Sequence, residues 1–348
     1  MTLATVQAVL GPISPESLGH TQVHEHVLCD LTRKTNPDAV LPGSLDGPSA
    51  ITLENYYRVR REHPPVNLRL DELETAVAEI ALYRDAGGQT LVDATSIGLV
   101  RDPIGLREVA QRTGVNIVMG CGFYWHDYHP AELPDMSVEE VRDVIVGDLL
   151  VGAEGTDVRA GVIGEIGLGW PVHPDEMKVL RAATLAQLET DVGLIVHPGH
   201  HETAPFLALA EIEATGGAAD RVVMSHIDRT LFTTADVLAL AATGCFVEFD
   251  LFGQEMSYYP FRQAEKTVFM PNDATRIDYI VAMIEAGFLD RVLVSQDVCN
   301  KTTLRAYGGE GYVHILEHVI PLMRSKGLTD SQIRVITVDN PRRVLTGA

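Results

Sequence analysis

Short runs rich in Val and Ile alternate with longer amphipathic stretches from one end of the 348-residue chain to the other. Parallel strands buried on both faces read this way, because both sets of alternating side chains must be apolar. The candidate strands are Thr21 to Cys29, Thr90 to Ala94, Asn116 to Cys121, Gly161 to Ile166, Leu194 to His197, Val222 to His226, Cys245 to Phe249 and Val292 to Ser295. Between them, helix-like spacing appears at Leu70 to Ala86, Val138 to Val151, Asp175 to Thr190, Ala204 to Ala214, Thr234 to Thr243 and Asp273 to Ala286. Gly87, Gly193, Gly244 and Gly287 follow such stretches, where a helix C-terminus favours a residue tolerant of positive φ. Eight strands alternating with helices predict an α/β fold, a single (β/α)8 TIM barrel over residues 1–348. No glycine-rich dinucleotide turn follows the first strand, which argues against a doubly wound sheet. The stretch Leu31 to Leu68, with Pro37, Pro42, Pro48, Pro64 and Pro65, reads as an insertion after the first strand, of a kind that often covers a site.

Composition narrows the partners. Hydrophobic residues at 46% and charged residues at 22% describe a folded globular chain, not a disordered or fibrous one. Lys and Arg total 27 against 48 Asp and Glu, a net charge of −21 that repels phosphate backbones and anionic lipids. No nucleic acid and no membrane partner is expected. Cys29, Cys121, Cys245 and Cys299 form no CxxC pair, so neither a zinc finger nor a disulfide framework is indicated. Residues Met1 to Gly11 hold no basic residue, and no run approaches the roughly 18 apolar residues of a membrane span. The expected location is the cytoplasm.

In such a barrel the chemistry sits at the C-terminal ends of the strands, the place for a metal site. His24 and His26 on the first strand are two apart, which puts both imidazoles on one face of an extended chain. Glu165 lies in Val162-Ile163-Gly164-Glu165-Ile166-Gly167, His197 ends the fifth strand, His226 ends the sixth, and Asp297 follows the eighth. A lone His after an apolar strand is more often a packing residue than a ligand. A carboxylate in an apolar strand is harder to dismiss, since burying it without a partner costs several kcal/mol. Four His and two carboxylates at one rim point to divalent metal, with zinc suited to the donors and manganese, iron or cobalt also possible.

The chain resembles the amidohydrolase superfamily in its phosphotriesterase branch, and specifically the phosphotriesterase-related proteins. The resemblance rests on Gly19 to Leu28 (GHTQVHEHVL), Gly161 to Pro171 (GVIGEIGLGWP), Ile195 to Gly199 (IVHPG), Val223 to Thr230 (VMSHIDRT), Cys245 to Gly253 (CFVEFDLFG) and Tyr307 to Leu316 (YGGEGYVHIL). It implies two divalent ions, one held by His24, His26, Glu165 and Asp297 and a more exposed one by Glu165, His197 and His226. It also implies a bridging hydroxide as nucleophile, with Asp297 as general acid and base. The founding phosphotriesterases bridge their metals with a carboxylated lysine. Here Glu165 takes that position, as in other phosphotriesterase-related proteins.

Substrate selection is expected in the loops. Tyr124, in Gly122-Phe123-Tyr124-Trp125, is a candidate to line the pocket, with rim packing as the alternative. Arg229, Lys301, Arg305 and Tyr307 are candidates to meet an anionic substrate group, unless the cations pair with the abundant carboxylates. Glu248 and Asp250 either support a ligand or form rim salt bridges. His126, His129, His200 and His201 suit surface or supporting roles, and the cysteines suit packing.

The resulting expectation is a binuclear metal-dependent hydrolase of a small, anionic carboxyl derivative, a lactone or an N-acyl amide. A phosphotriester or phosphodiester hydrolase and a non-catalytic, metal-stabilised binding barrel are the alternatives. A small-molecule substrate is the expected partner, and relatives suggest a homodimer.

Overall fold

In the computed structural model, which describes residues 5–32, 47–256 and 269–346, eight parallel strands are hydrogen-bonded in chain order. They are β1 (Thr21–Glu25), β2 (Thr90–Asp93), β3 (Asn116–Cys121), β4 (Val162–Gly167), β5 (Leu194–His197), β6 (Val222–Met224), β7 (Phe246–Phe249) and β8 (Val292–Val294). The sheet is a nearly closed (β/α)8 TIM barrel, its strands surrounded by helices. At the seam between β8 and β1, the Glu25 carboxylate accepts the backbone N–H groups of Gln296 at 2.8 Å and Val298 at 2.9 Å, and the His26 N–H donates to the Val298 carbonyl at 3.2 Å.

Helices α1 (Leu73–Asp85), α2 (Pro103–Thr113), α3 (Val138–Leu150), α4 (Pro174–Thr190), α5 (Ala204–Ala214), α6 (Thr234–Ala241) and α7 (Asp273–Glu285) fill the connections. Their starts follow local chemistry. Asp102 caps α2, Asn272 caps α7, and Ser137 with Glu140 forms a capping box at α3, each satisfying backbone donors that the first helical turn leaves open. After β8 the chain continues as π-helical Ile315–Val319 and helix Ile320–Ser325.

The barrel floor explains how the mouth is built. Each strand sends one apolar side chain inward: Val23, Val92, Val118, Val162, Ile195, Val223, Phe246 and Leu293 form one buried cluster, joined by Val6, Leu18, Val344 and Leu345. The hairpin of Val6–Ala8 with Gly11–Ile13 lies at this end. With a period of two, the inward face of each strand continues toward its C-terminal end. On β5 that face reaches His197, on β7 Glu248 and then Asp250, and after β8 Asp297. Polar groups thus collect above an apolar floor, while the opposite strand faces pack against the helices in a second core.

Two strands break the period. The β1–β2 register shifts between Gln22 and Glu25, and on β4 both Ile163 and Gly164 oppose Cys121. Such bulges re-aim side chains. At the second, only glycine fits, since a Cβ on Gly164 would stand 2.4 Å from the Ile195 carbonyl oxygen at φ +122.

Several boundaries differ from the sequence reading. β1 ends at Glu25, and Cys29–Asp30 pairs antiparallel with Arg69–Leu70 instead. The sixth strand stops at Met224, because His226 adopts a left-handed backbone at φ 56. Of the insertion, 33–46 lies outside the described residues. Its later part forms helix Tyr56–Glu62 and is tied to the loop after β8, where Asn67 accepts from Lys301 N and Thr302 N at 2.8 Å each. Among the described residues no helix is long and apolar enough to cross a membrane.

Candidate metal centre

At the C-terminal mouth of the barrel the six predicted donors converge. The Glu165 carboxylate is central: Oε2 lies 2.7 Å from His197 Nδ1, 3.4 Å from His24 Nε2 and 3.5 Å from His226 Nε2, and Oε1 lies 3.2 Å from His26 Nε2. Asp297 Oδ1 is 3.5 Å from His26 Nε2. His226 Nε2 and His197 Nδ1 face each other at 2.8 Å. Three overlapping triads result, His24/His26/Asp297, Glu165/His197/His226 and His24/His226/Asp250, each with donor atoms within 4.8 Å of one another.

Burial and charge shape these groups. Burial opposes the charge on His26, yet hydrogen bonds and charges from Asp297 and Glu165 outweigh it and push the ring up to about 10. His24 is also raised, burial again being overcome by the Glu165 carboxylate. Burial and the neighbouring His226 lower His197 to about 3. Glu165 and Asp297 are held below the usual carboxylate range, because the surrounding imidazoles overcome the desolvation of each. A negative pair ringed by four imidazoles is a donor set that suits a divalent cation.

The fit has a direct sign. His24 is fully buried, and its Nε2 has no hydrogen-bond partner although it points at Glu165. A buried nitrogen of that kind costs free energy unless something accepts its lone pair or proton. The other ring nitrogens are tied back. His24 Nδ1 meets Ser225 Oγ at 3.1 Å, and Ser225 donates to Glu248 at 2.8 Å. His26 Nδ1 meets Thr95 Oγ1 at 2.9 Å, and His226 Nδ1 meets Asp250 Oδ1 at 2.9 Å. Partners of this type fix ring orientation and tautomer at metal sites.

Glu248 and Asp250 therefore stand behind the histidines, not at the rim, and burial pushes Asp250 up to about 7. Their spacing of two on an apolar strand was the available signal. Ser225 and Thr95 carried none, being ordinary residues of their strand ends.

The substrate candidates divide. Tyr124 is beside the cluster, its ring 5.2 Å from that of His197 in an edge-on arrangement, and burial keeps its phenol neutral. Arg229 also reaches it, with NH2 3.0 Å from His197 Nε2. Lys301, Arg305 and Tyr307 do not make such contacts. Lys301 pairs with Glu72 and, at 3.7 Å, Asp71; Arg305 pairs with Glu317; the Tyr307 hydroxyl donates to Glu72 at 3.5 Å. Nearness to Asp297 along the chain does not bring them to it, because Lys301 turns onto Asp71 and Glu72 at the start of α1 and Arg305 onto Glu317 in Ile315–Val319. A further His/Asp group, His126, His173 and Asp175, lies apart from the cluster residues in sequence, and Lys178 already neutralises Asp175 at 3.0 Å.

Comparison with known proteins places the chain among relatives. The sequence model of the phosphotriesterase family matches residues 4–345. A phosphotriesterase-related protein of Nematostella vectensis is 39% identical, covering 99% of each chain. An N-acetyltaurine hydrolase of Danio rerio is 39% identical, covering 98% of this chain and 97% of its own. The crystal structure of a resiniferatoxin-binding protein from Rhodobacter sphaeroides superposes with a TM-score of 0.91 at 34% identity, covering 99% of this chain and 95% of that one.

Proposed function

This chain belongs to the phosphotriesterase family and is a hydrolase of the phosphotriesterase-like type; from that premise we propose that it is a metal-dependent enzyme which cleaves a small N-acyl amide. The observation that carries this reading is the convergence of His24, His26, Glu165, His197, His226 and Asp297 around the unpartnered His24 Nε2. The amide is favoured over a lactone or phosphoester by the 39% identity, over nearly the whole chain, to an N-acetyltaurine hydrolase.

The same six side chains would hold the ions, zinc being the first candidate. Divalent ions supply Lewis acidity there, which makes water a nucleophile at neutral pH and polarises a carbonyl oxygen. The chain's own residues do the rest. Asp297, whose carboxylate stands beside His26, takes the proton of the attacking water and returns it to the amide nitrogen as the C–N bond breaks, giving a carboxylic acid and an amine. Its left-handed backbone, φ 48, turns the carboxylate from the end of β8 back toward His26. Thr95, Ser225 and Asp250 hold the histidine rings in place, and the neutral Tyr124 ring walls the side next to His197.

The test is a panel of N-acetyl-β-alanine, N-acetyltaurine, a five-membered lactone and a neutral aryl phosphotriester, offered to zinc- or manganese-loaded protein. The amides are the expected preferred substrates. Preference for the lactone or phosphotriester would replace the substrate class, and no turnover of any would favour a metal-stabilised binding barrel.

A further inference from the structure

Arg229 is buried, with 2% of its surface exposed, in the short turn Ile227–Arg229 that follows β6. Among the described residues its guanidinium meets neutral acceptors: His197 Nε2 at 3.0 Å, the Pro198 carbonyl at 3.4 and 3.5 Å, and Thr230 Oγ1 at 3.5 Å. Among the described residues no carboxylate forms an ion pair with it. The other buried arginines differ. Arg276 is held by Asp228 at 2.7 Å and Asp273 at 2.9 Å, and Arg101 by Asp148 at 2.8 Å. The charge of Asp250 acts on it from a distance without contact, so its N–H groups are without a carboxylate of their own and can take one from a bound anion.

The tautomer of His197 sharpens the point. To accept from Arg229, Nε2 must offer its lone pair, which places the ring proton of a neutral imidazole on Nδ1, the atom facing Glu165 and His226. As a metal ligand through Nδ1, the neutral ring carries its proton on Nε2 instead. Two donors then face each other, and Arg229 loses its nearest acceptor. The guanidinium is left beside the reacting centre with N–H groups to satisfy, a geometry suited to an anion that binds two of them at once.

We propose that Arg229 anchors the negative end of the substrate, a carboxylate or sulfonate carried on the amine portion of the amide. The proposal rests on the amide hydrolase reading above and moves anion recognition from Lys301 and Arg305, which hold carboxylates of their own, to the turn after β6.

The experiment compares wild type, Arg229→Met and Arg229→Lys, all metal-loaded. Hydrolysis of N-acetyl-β-alanine and N-acetyltaurine is measured against the neutral N-acetyl-β-alanine amide, and binding of propane-1-sulfonate, a poor metal ligand, is followed by calorimetry. The expected result in Arg229→Met is a fall of tenfold or more in the ratio of anionic to neutral kcat/KM and loss of sulfonate binding, with partial recovery of both in Arg229→Lys. A loss on only one of the two anionic amides identifies which head group is anchored. Equal losses on anionic and neutral amides, with sulfonate binding retained, would overturn the proposal and leave Arg229 as a residue that positions His197. If wild type hydrolyses neither kind of amide, the hydrolase reading fails separately, and the sulfonate titration still decides whether Arg229 binds anions.

Discussion

His226 and Asp250 are joined twice: the carboxylate meets the ring Nδ1 at 2.9 Å and accepts the backbone N–H of the same residue at 2.9 and 3.1 Å. This double contact holds His226 in its left-handed backbone with Nε2 toward Glu165. Asp250→Asn keeps the shape but leaves an amide that can misplace a donor against the ring, and partners of this kind typically contribute about 10–100-fold to metal affinity. Zinc affinity of the variant, measured by competition with a chromophoric chelator, should fall by that amount with little change in the far-UV spectrum. Unchanged affinity would remove Asp250 from the metal account.

Metal affinity should also depend on pH in a defined direction. Without an ion, His24 and His26 are held protonated at neutral pH, because the nearby carboxylates overcome burial; the His26 value is about 10. Metal uptake displaces those protons, so apparent affinity rises with pH by on the order of tenfold per unit for each proton released. Competition titrations at pH 6.5 and 8 measure it, and a flat response contradicts the protonation state.

Asp297→Asn, assayed at saturating metal with bound metal measured, probes proton transfer, since asparagine tolerates the left-handed backbone that Asp297 adopts at φ 48. The fold should be kept while kcat falls by about 10²–10⁴, the usual weight of a general acid–base group. Activity near wild type would take Asp297 out of the proton path.

The seam is a separate matter of stability. Glu25 accepts from Gln22 Nε2 at 3.1 Å as well as from the backbone of Gln296 and Val298, and an amide there turns at least one donor against another. Glu25→Gln should lose about 1–3 kcal/mol in denaturant unfolding. Burial pushes the Glu25 carboxyl up to about 8, so its favourable contribution is whole below the ordinary carboxylate range and declines as pH rises through about 8. The difference from wild type should therefore be larger at pH 5 than at pH 8; the opposite trend would mean that Glu25 closes the seam as an anion.

Much of this was legible from the residues. The eight runs point to the barrel because both faces of each strand are apolar, and His24, His26, Glu165, His197, His226 and Asp297 stand out as polar groups within or just after apolar runs. What failed depended on contacts remote in sequence. Helix α2, which opens on Asp102 and Pro103, has a cap that is evident only with the Gly105 N–H in place. The roles of Glu248 and Asp250 needed β6 and β7 side by side. Lys301 and Arg305 are close to Asp297 along the chain, yet Glu72 and Glu317 claim them across the fold.

Hydrolysis should require ions held by the His24/His26/Asp297 and Glu165/His197/His226 triads. The most direct test of this requirement is one titration: chelated protein is returned stepwise to zinc or manganese while bound metal and N-acyl amide hydrolysis are recorded on the same samples. No activity is expected in the chelated protein, and the rate should climb with bound metal until two equivalents are held. Full hydrolysis in the chelated protein, or metal bound to saturation without any rise in rate, would contradict it.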